Sequence, residues 1–155
     1  MTRLLTLPGD GERIVWPEQG HVFCLKVSPE SGGSFSLTEA TIPPGKGAGL
    51  HIHEQSEECW YVLEGEYRFT VGDEEFTAGA GATVVVPRGV PHGLVAGDSG
   101  GRHLTIFAPA GCETAFREIG AAQQRGETSP DFWRQLGIRT HTQFSARGQS
   151  QSDHG

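Results

Sequence analysis

Residues 45–65 read GKGAGLHIHEQSEECWYVLEG and carry the pattern that decides the fold. Successive side chains of a β-strand point to opposite faces, so His51 and His53 are predicted to project side by side from one short strand. A tight turn at residues 54–56 then returns the chain, and Glu58 on the next strand reaches the same point. Two imidazoles and a carboxylate that converge in this way are typical of a site for a borderline divalent ion.

A second block, residues 81–92, reads GATVVVPRGVPH. Its β-branched residues predict a strand, its Pro and Gly residues predict a turn, and His92 follows the turn as a further candidate ligand. Glu57 is an alternative to Glu58 in the first block. It has the opposite strand parity, and it leaves seven residues before Gly65 where Glu58 leaves six.

Together the two blocks resemble the two signature motifs of the cupin superfamily, with Ala96 where the second motif usually closes on Asn. The resemblance implies an all-β fold, the cupin-type double-stranded β-helix or jelly-roll barrel, with the ligand site inside. It also implies one divalent transition metal (Fe, Ni, Mn, Cu or Zn) held by His51, His53, Glu58 and His92. Residues 61–66, 87–92 and 109–118 are further similar to small single-domain bacterial cupins related to quercetin dioxygenase.

Short strand-forming stretches separated by Gly and Pro clusters also favour an all-β barrel or double sheet. The predicted strands are residues 22–27, 34–42, 50–53, 58–63, 67–71, 74–78, 83–86, 93–96 and 103–108. Two short C-terminal helices are predicted at residues 112–124 and 129–136, the second with Ser129 as its cap and Pro130 at its first position. We therefore expect one cupin domain over residues 1–144. Its barrel core would cover about 20–108 and its helical segment about 112–137, with a disordered tail at 145–155.

Composition narrows the possible partners and the location. The 155-residue chain has a formal net charge of −7 and no run of basic residues, so nucleic acid is not an expected partner. No apolar run reaches membrane-spanning length, and Pro8 interrupts the N-terminal stretch too early for a signal peptide, so we expect no membrane association and a cytoplasmic location. The three scattered cysteines indicate neither a disulfide framework nor a Cys-type zinc site.

The substrate is expected in a pocket beside the ligands. Candidate contacts either share the strand parity of the ligands or come from neighbouring strands: Trp60, Val62, Leu94, Phe35, Phe69 and His103. An aromatic-rich wall around an open metal position favours a flat, partly apolar small molecule as the partner.

The leading hypothesis is an enzyme: a metal-dependent oxidoreductase, a dioxygenase of a small enol, aromatic or natural-product-like molecule. The resemblance implies that Glu58 is catalytic as well as a ligand, taking the substrate hydroxyl proton as general base. One alternative is a non-redox isomerase, cyclase or lyase that uses the ion as a Lewis acid. Another is a metal-bearing small-molecule binding module. The resemblance also implies a homodimer.

Overall fold

The computed structural model describes residues 5–31 and 34–145. These residues form nine β-strands, one short 3-10 helix (Pro29–Ser31) and two α-helices. The strands are β1 (Glu12–Trp16), β2 (His21–Val27), β3 (Ser36–Ile42), β4 (Gly47–His53), β5 (Glu57–Val71), β6 (Glu74–Gly79), β7 (Thr83–Val86), β8 (His92–Ala108) and β9 (Thr142–Phe144). The helices are α1 (Thr114–Arg125) and α2 (Pro130–Thr140).

The strands pair antiparallel in one curled sheet. Its main path runs β1-β2-β3-β8-β4-β9, and β5 joins it through β8 while also pairing with β6 and β7. The predicted all-β cupin-type fold with short C-terminal helices is therefore confirmed. The sheet extends beyond the predicted barrel core at both ends, because β1 begins at Glu12 and β9 reaches Phe144.

Two long, bent strands form the middle of the sheet. The first half of β5 pairs with the second half of β8 (Glu57 opposite Ala108), and its second half pairs with the first half of β8 (Val71 opposite His92). The register shifts near Gly65. This residue has a φ of 78°, and a Cβ there would lie 2.3 Å from the carbonyl oxygen of Gly100. Only glycine allows the two backbones to come this close.

The bends change which side chains face the interior. In β5 the buried residues are even-numbered before the bend (Glu58, Trp60, Val62) and odd-numbered after it (Tyr67, Phe69). In β8 they are even-numbered first (His92, Leu94, Ala96) and odd-numbered later (His103, Thr105, Phe107). A one-residue bulge has this effect because the side-chain period of a strand is two.

Several predicted boundaries were wrong for the same reason. The strands predicted at 58–63 and 67–71 are both part of β5. Those predicted at 93–96 and 103–108 are both part of β8, which continues through the glycine-containing stretch between them. Strands β1 and β9 were not predicted. The backbone ladder continues through these bends although the alternation of apolar residues is broken there.

The C-terminal helices lie close to their predicted positions. Helix α2 begins after Ser129, whose side chain accepts a hydrogen bond from Phe132 N at 3.2 Å, and Pro130 stands in its first turn as predicted. Helix α1 packs on the sheet: Trp16 Nε1 donates to Phe116 O at 2.8 Å, and Phe116 stacks on Phe23 with ring centroids 4.5 Å apart. The predicted tail lies, apart from Ser145, outside the described residues.

In the part of the chain described, neither helix has the length and apolar character needed to cross a bilayer.

Candidate metal centre

Four side chains from three strands converge at one point of the interior. His51 and His53 come from β4, Glu58 from β5 and His92 from β8. One ligand atom from each lies within 4.8 Å of the others. Glu58 Oε2 is 2.8 Å from His92 Nε2, 3.3 Å from His53 Nε2 and 4.0 Å from His51 Nε2. The neighbouring Glu57 is exposed and faces away from this cluster, which we call the quartet.

Each imidazole of the quartet is held through its other ring nitrogen. Nδ1 of His51 lies 2.7 Å from Gly49 O, and Nδ1 of His92 lies 2.7 Å from Val90 O. Because a carbonyl oxygen only accepts, these Nδ1 atoms carry the proton, and in the neutral ring Nε2 keeps its lone pair. Such anchoring of the outer nitrogen is usual for metal-binding histidines.

His53 is anchored by a residue that is distant in sequence. Its Nδ1 lies 3.1 Å from Thr142 Oγ1 in β9, and this hydroxyl donates in turn to Thr140 O at 3.2 Å. The hydroxyl therefore accepts from His53 Nδ1, so it is Nε2 that offers a lone pair once the ring is neutral. That Nε2 is buried and has no hydrogen-bond partner in the described structure. A buried nitrogen that faces a carboxylate without bonding to it fits a divalent transition ion bound between them.

The electrostatics of the quartet keep Glu58 ionised. Burial would raise the pKa of this carboxyl, but the neighbouring His53 and His92 outweigh burial and hold the pKa well below its usual range. Burial, together with the charges of His92 and His53, lowers the pKa of His51 to about 3. Burial would also lower the pKa of His53, but its contacts with Cys112 and Glu58 raise it to about 9. An ion that binds here displaces the His53 proton, so its affinity falls at lower pH.

Trp60 orients the carboxylate. Its indole Nε1 donates to Glu58 Oε1 at 2.7 Å, which leaves Oε2 facing the three imidazoles. The indole is 1% exposed and stacks on Phe69. The sequence pattern predicted Trp60 as a substrate contact. The structure places it on the cavity wall and also shows this bond to Glu58, which the shared strand parity of residues 58 and 60 could have indicated.

Three members of the quartet, His51, His53 and Glu58, line a cavity of about 170 Å³. Of the predicted substrate contacts, Trp60, Leu94 and His103 line this cavity. Val62 and Phe69 do not line it, because both are fully buried in the hydrophobic core around Tyr67.

Phe35 is also absent from the cavity wall. It precedes β3, is 44% exposed and points away from the interior, and Ser36 is the buried residue there. The expectation that Phe35 lines the pocket was wrong because the inward positions of β3 are the even-numbered ones, from Ser36 to Ile42.

Sequence reasoning missed the part of the wall that comes from outside the motifs. Trp16 and His21 come from β1 and β2, Cys112 and Phe116 from the region of α1, and Trp133 from α2. No lysine or arginine of the described chain lines the cavity, and its carboxylates are Glu18 and Glu58.

The comparisons with known proteins agree with this geometry. A family model for the cupin domain matches residues 38–107. An uncharacterised protein from Methanocaldococcus jannaschii is 42% identical over 57 residues, which cover 37% of this chain and 46% of that protein. The chain thus spans less than half the length of this relative.

Two solved structures share the fold. An RmlC-like cupin from Shewanella frigidimarina superposes with a TM-score of 0.61 at 22% identity, covering 71% of this chain and 96% of the other. Oxalate decarboxylase from Bacillus subtilis superposes with a TM-score of 0.57 at 24% identity, covering 66% of this chain and 28% of the other. At this level of identity the likeness concerns the fold alone.

Proposed function

This chain is a member of the cupin superfamily, and on that premise we propose that it is a metal-dependent dioxygenase of a small, uncharged molecule with an enol or phenol group. The observation that carries the proposal is the orientation of the quartet. Three anchored imidazoles direct Nε2 toward Glu58 Oε2, and His51, His53 and Glu58 line one cavity.

The donor set fits the ion that the proposal needs. Three neutral imidazoles and one carboxylate suit Fe, Ni, Mn, Cu or Zn. A redox-active ion would supply electron exchange between an enol and dioxygen, whereas Zn²⁺ would supply only polarisation of an oxygen atom.

The residues of the chain supply proton transfer and orientation. Glu58 stays ionised and is the carboxylate that would accept the hydroxyl proton of a substrate at Oε2, and the neighbouring imidazoles that lower its pKa make it a weaker base than a free carboxylate. Trp60 keeps the carboxylate in one orientation through Oε1, so that the accepting oxygen is already in place. The three Nδ1 anchors hold the imidazole rings around the same point.

The cavity supports an uncharged, flat substrate. Its wall carries aromatic rings from several elements and, within the described residues, no cationic side chain that would pair with a phosphate or carboxylate. Small-molecule sites of this kind are mostly apolar, with a few polar groups that fix orientation.

Metal analysis of the purified protein tests the proposed metal ligands. Wild type is expected to bind about one equivalent of a divalent metal, and the His51→Ala/His53→Ala double variant to bind none while remaining folded by circular dichroism. Glu57→Gln is the matched control because Glu57 lies on the outer face, and it should bind metal like wild type. Full metal content in the double variant would disprove the ligand assignment.

Measurement of oxygen consumption tests whether the protein is a dioxygenase. Wild type is expected to consume dioxygen with one or more members of an enol and phenol panel, and the Zn²⁺-exchanged protein to bind the same compound without turnover. Turnover by the zinc form, or under anaerobic conditions, would reject the dioxygenase proposal in favour of a non-redox isomerase, cyclase or lyase.

A further inference from the structure

The outer face of one half of the sheet carries a group of apolar side chains. In the described structure this half consists of six neighbouring strands in the order β1-β2-β3-β8-β5-β7, with the first half of β5 and the second half of β8. Alternate positions of these strands fill the interior, so the positions between them face outward. We call the following outward residues of β3, β8, β5 and β7 the outer patch: Leu37, Leu104, Ile106, Cys59, Tyr61 and Val85.

Strand pairing arranges the outer patch in two adjacent rows. The first row crosses four strands, each residue directly opposite the next, in the order Leu37, Ile106, Cys59 and Val85. In the second row Leu104 is opposite Tyr61. Side chains that are opposite each other in an antiparallel pair are close neighbours. The outer patch is therefore one continuous surface and not a set of scattered apolar residues.

The outer patch is accessible to solvent in a single copy of the chain. Val85 is 61% exposed and Tyr61 is 41% exposed, and Phe35, just before β3, adds a further exposed ring on the same side of the sheet. By contrast, the outward residues in the second half of β5 are polar: Glu66, Arg68 and Thr70. Large contiguous apolar patches on a protein surface mark interaction sites, whereas single exposed apolar residues do not.

The charges around the outer patch favour a second copy of this chain as the partner. The chain has a formal net charge of −7, so two copies repel each other in most orientations. This face is an exception, because the outward charged residues of its described strands are three cations and three anions: Arg13, Lys26 and Arg102, and Glu39, Glu57 and Glu64. Arg102 already pairs with Glu39 at 2.9 Å and with Glu64 at 2.6 Å. A neutral face of this kind does not repel its own copy, and it offers little to a strongly charged partner.

The size and shape of the face also suit a dimer. Six strands are about 24 Å across, and six residues along a strand cover about 20 Å. This footprint of roughly 500 Å² has a larger accessible area because side chains stand out from it, and a stable interface buries about 800 Å² on each partner. The outer patch would form the apolar centre of the interface, and the charged residues its polar rim. A sheet face has no groove for a peptide, whereas two sheet faces can pack on each other with their strands nearly aligned.

We propose that the outer patch is the interface between two copies of this chain, which pack face to face about a two-fold axis. In such an interface the same surface is used by both copies, so the patch of one copy covers the patch of the other. The resemblance implies a homodimer but assigns no face to it. The interface lies on the outer side of the sheet and the quartet on the inner side, so this inference does not rest on the proposed function.

Analytical ultracentrifugation over a range of protein concentrations tests this interface. Wild type is expected to sediment as a dimer of the 16.6 kDa chain. Val85→Glu puts a charge into the apolar centre, and the two-fold axis does so twice, so we expect the dissociation constant to rise by about 100-fold or more. Tyr61→Glu, in the second row, should have the same effect. Ile138→Glu is the matched control and should stay dimeric, because Ile138 is 60% exposed but lies on α2, which packs on α1 and β9.

Two further measurements separate loss of the interface from loss of the fold and from the quartet. Both glutamate variants should keep the circular dichroism spectrum of wild type, since Val85 and Tyr61 are exposed in the single chain. Labelling of Cys59 by a maleimide, followed by peptide mass, should be about tenfold slower in the wild-type dimer than in monomeric Tyr61→Glu, because the partner covers this thiol. The His51→Ala/His53→Ala variant should remain a dimer, so the interface is tested independently of the metal ligands.

A wild-type protein that stays monomeric at about 100 µM, where even a weak specific dimer forms, would overturn the inference. A dimer that persists in both Val85→Glu and Tyr61→Glu would also overturn it, and so would equal dissociation in Ile138→Glu. Equal labelling of Cys59 in the dimer and in the monomeric variant would place the interface on another surface.

Discussion

At the scale of single residues, the two proposed roles of Glu58, metal ligand and proton acceptor, can be tested separately. Glu58→Gln keeps the size of the side chain and an oxygen for Trp60, but removes the charge that accepts a proton. We expect it to retain measurable metal while turnover falls by about two to four orders of magnitude. Metal content and oxygen consumption measured on the same preparation check this.

Glu57→Gln is the control for that experiment, because Glu57 is the adjacent carboxylate on the exposed face of β5. Glu57→Gln should leave metal content and oxygen consumption unchanged. If metal and turnover fell in parallel in Glu58→Gln, Glu58 would be only a ligand. A larger effect of Glu57→Gln would mean that the assignment of faces in β5 is wrong.

The bond from Trp60 to Glu58 allows a second test. Trp60→Phe keeps an aromatic ring but removes the only indole donor to Oε1, so the carboxylate loses its fixed orientation. Loss of such an outer partner typically weakens metal binding by about 10- to 100-fold. Competition with a chelator measures this. Tyr61→Phe, on the outer face of the same strand, should bind metal like wild type; an equal loss in both variants would point to general damage to β5.

Residue-level prediction from sequence worked where the partners are near in the chain. His51, His53 and Glu58 were placed together by strand alternation and one turn, and His92 by its Pro/Gly turn. His21 had no such pattern, because its surroundings come from β1 and α1, far away in sequence. A single histidine on a strand therefore gave no indication that both of its nitrogens would be left without partners.

At the scale of secondary-structure elements, β9 connects the C-terminal segment to the quartet. It pairs with β4 so that Thr142 is opposite His53 and Phe144 is opposite His51. Thr142 Oγ1 is the acceptor for His53 Nδ1. A three-residue strand with no alternating pattern could not be predicted from sequence, although it supports one of the four candidate ligands.

Thr142→Val tests this support. Valine has the shape of threonine but no hydroxyl, so His53 Nδ1–H would lose its buried acceptor, at a cost of roughly 1–3 kcal/mol in the free energy of unfolding. We expect metal affinity to fall about tenfold or more, measured by chelator competition. Gln143→Ala is the matched control, because the Gln143 side chain is exposed and, in the described structure, hydrogen-bonds only to Glu54. Wild-type affinity in Thr142→Val would show that β9 does not orient His53.

The bends of β5 and β8 explain the remaining errors in the element boundaries. Each bend moves the inward positions from even to odd numbers, so an alternating pattern read from sequence ends there and a new one begins. The predicted strands therefore stopped at residues 63 and 96 and resumed at 67 and 103. Strand pairing across the bends is a long-range property that the local pattern does not contain.

At the scale of the whole molecule, residues from the sheet and the helices line a cavity whose wall includes His51, His53 and Glu58 of the quartet as well as His21 and His103. The motifs predicted the side of the cavity that carries the quartet. Its other side depends on how β1, β2 and α1 pack, which sequence alone did not reveal. The homodimer implied by the resemblance stays a prediction.

The buried histidines make the stability of the molecule depend on pH. The pKa values of His21 and His103 are lowered to about 4 by burial, whereas an unfolded histidine titrates near 6.5. As the pH falls from 6.5 to about 4, the unfolded chain binds up to two protons that the native protein does not bind. The free energy of unfolding should therefore decrease across this window, by at most about 3 kcal/mol for each histidine, and these two residues should add no pH dependence above it.

Urea unfolding of wild type and His21→Phe across this pH window measures the contribution of one histidine. As the pH falls, the free energy of unfolding of wild type should decrease relative to that of His21→Phe. In the middle of the pH window, the slope of this difference against pH should correspond to nearly one proton. A difference that stays constant with pH would mean that native His21 is protonated like the unfolded residue, which is incompatible with a buried imidazole that has no acidic partner.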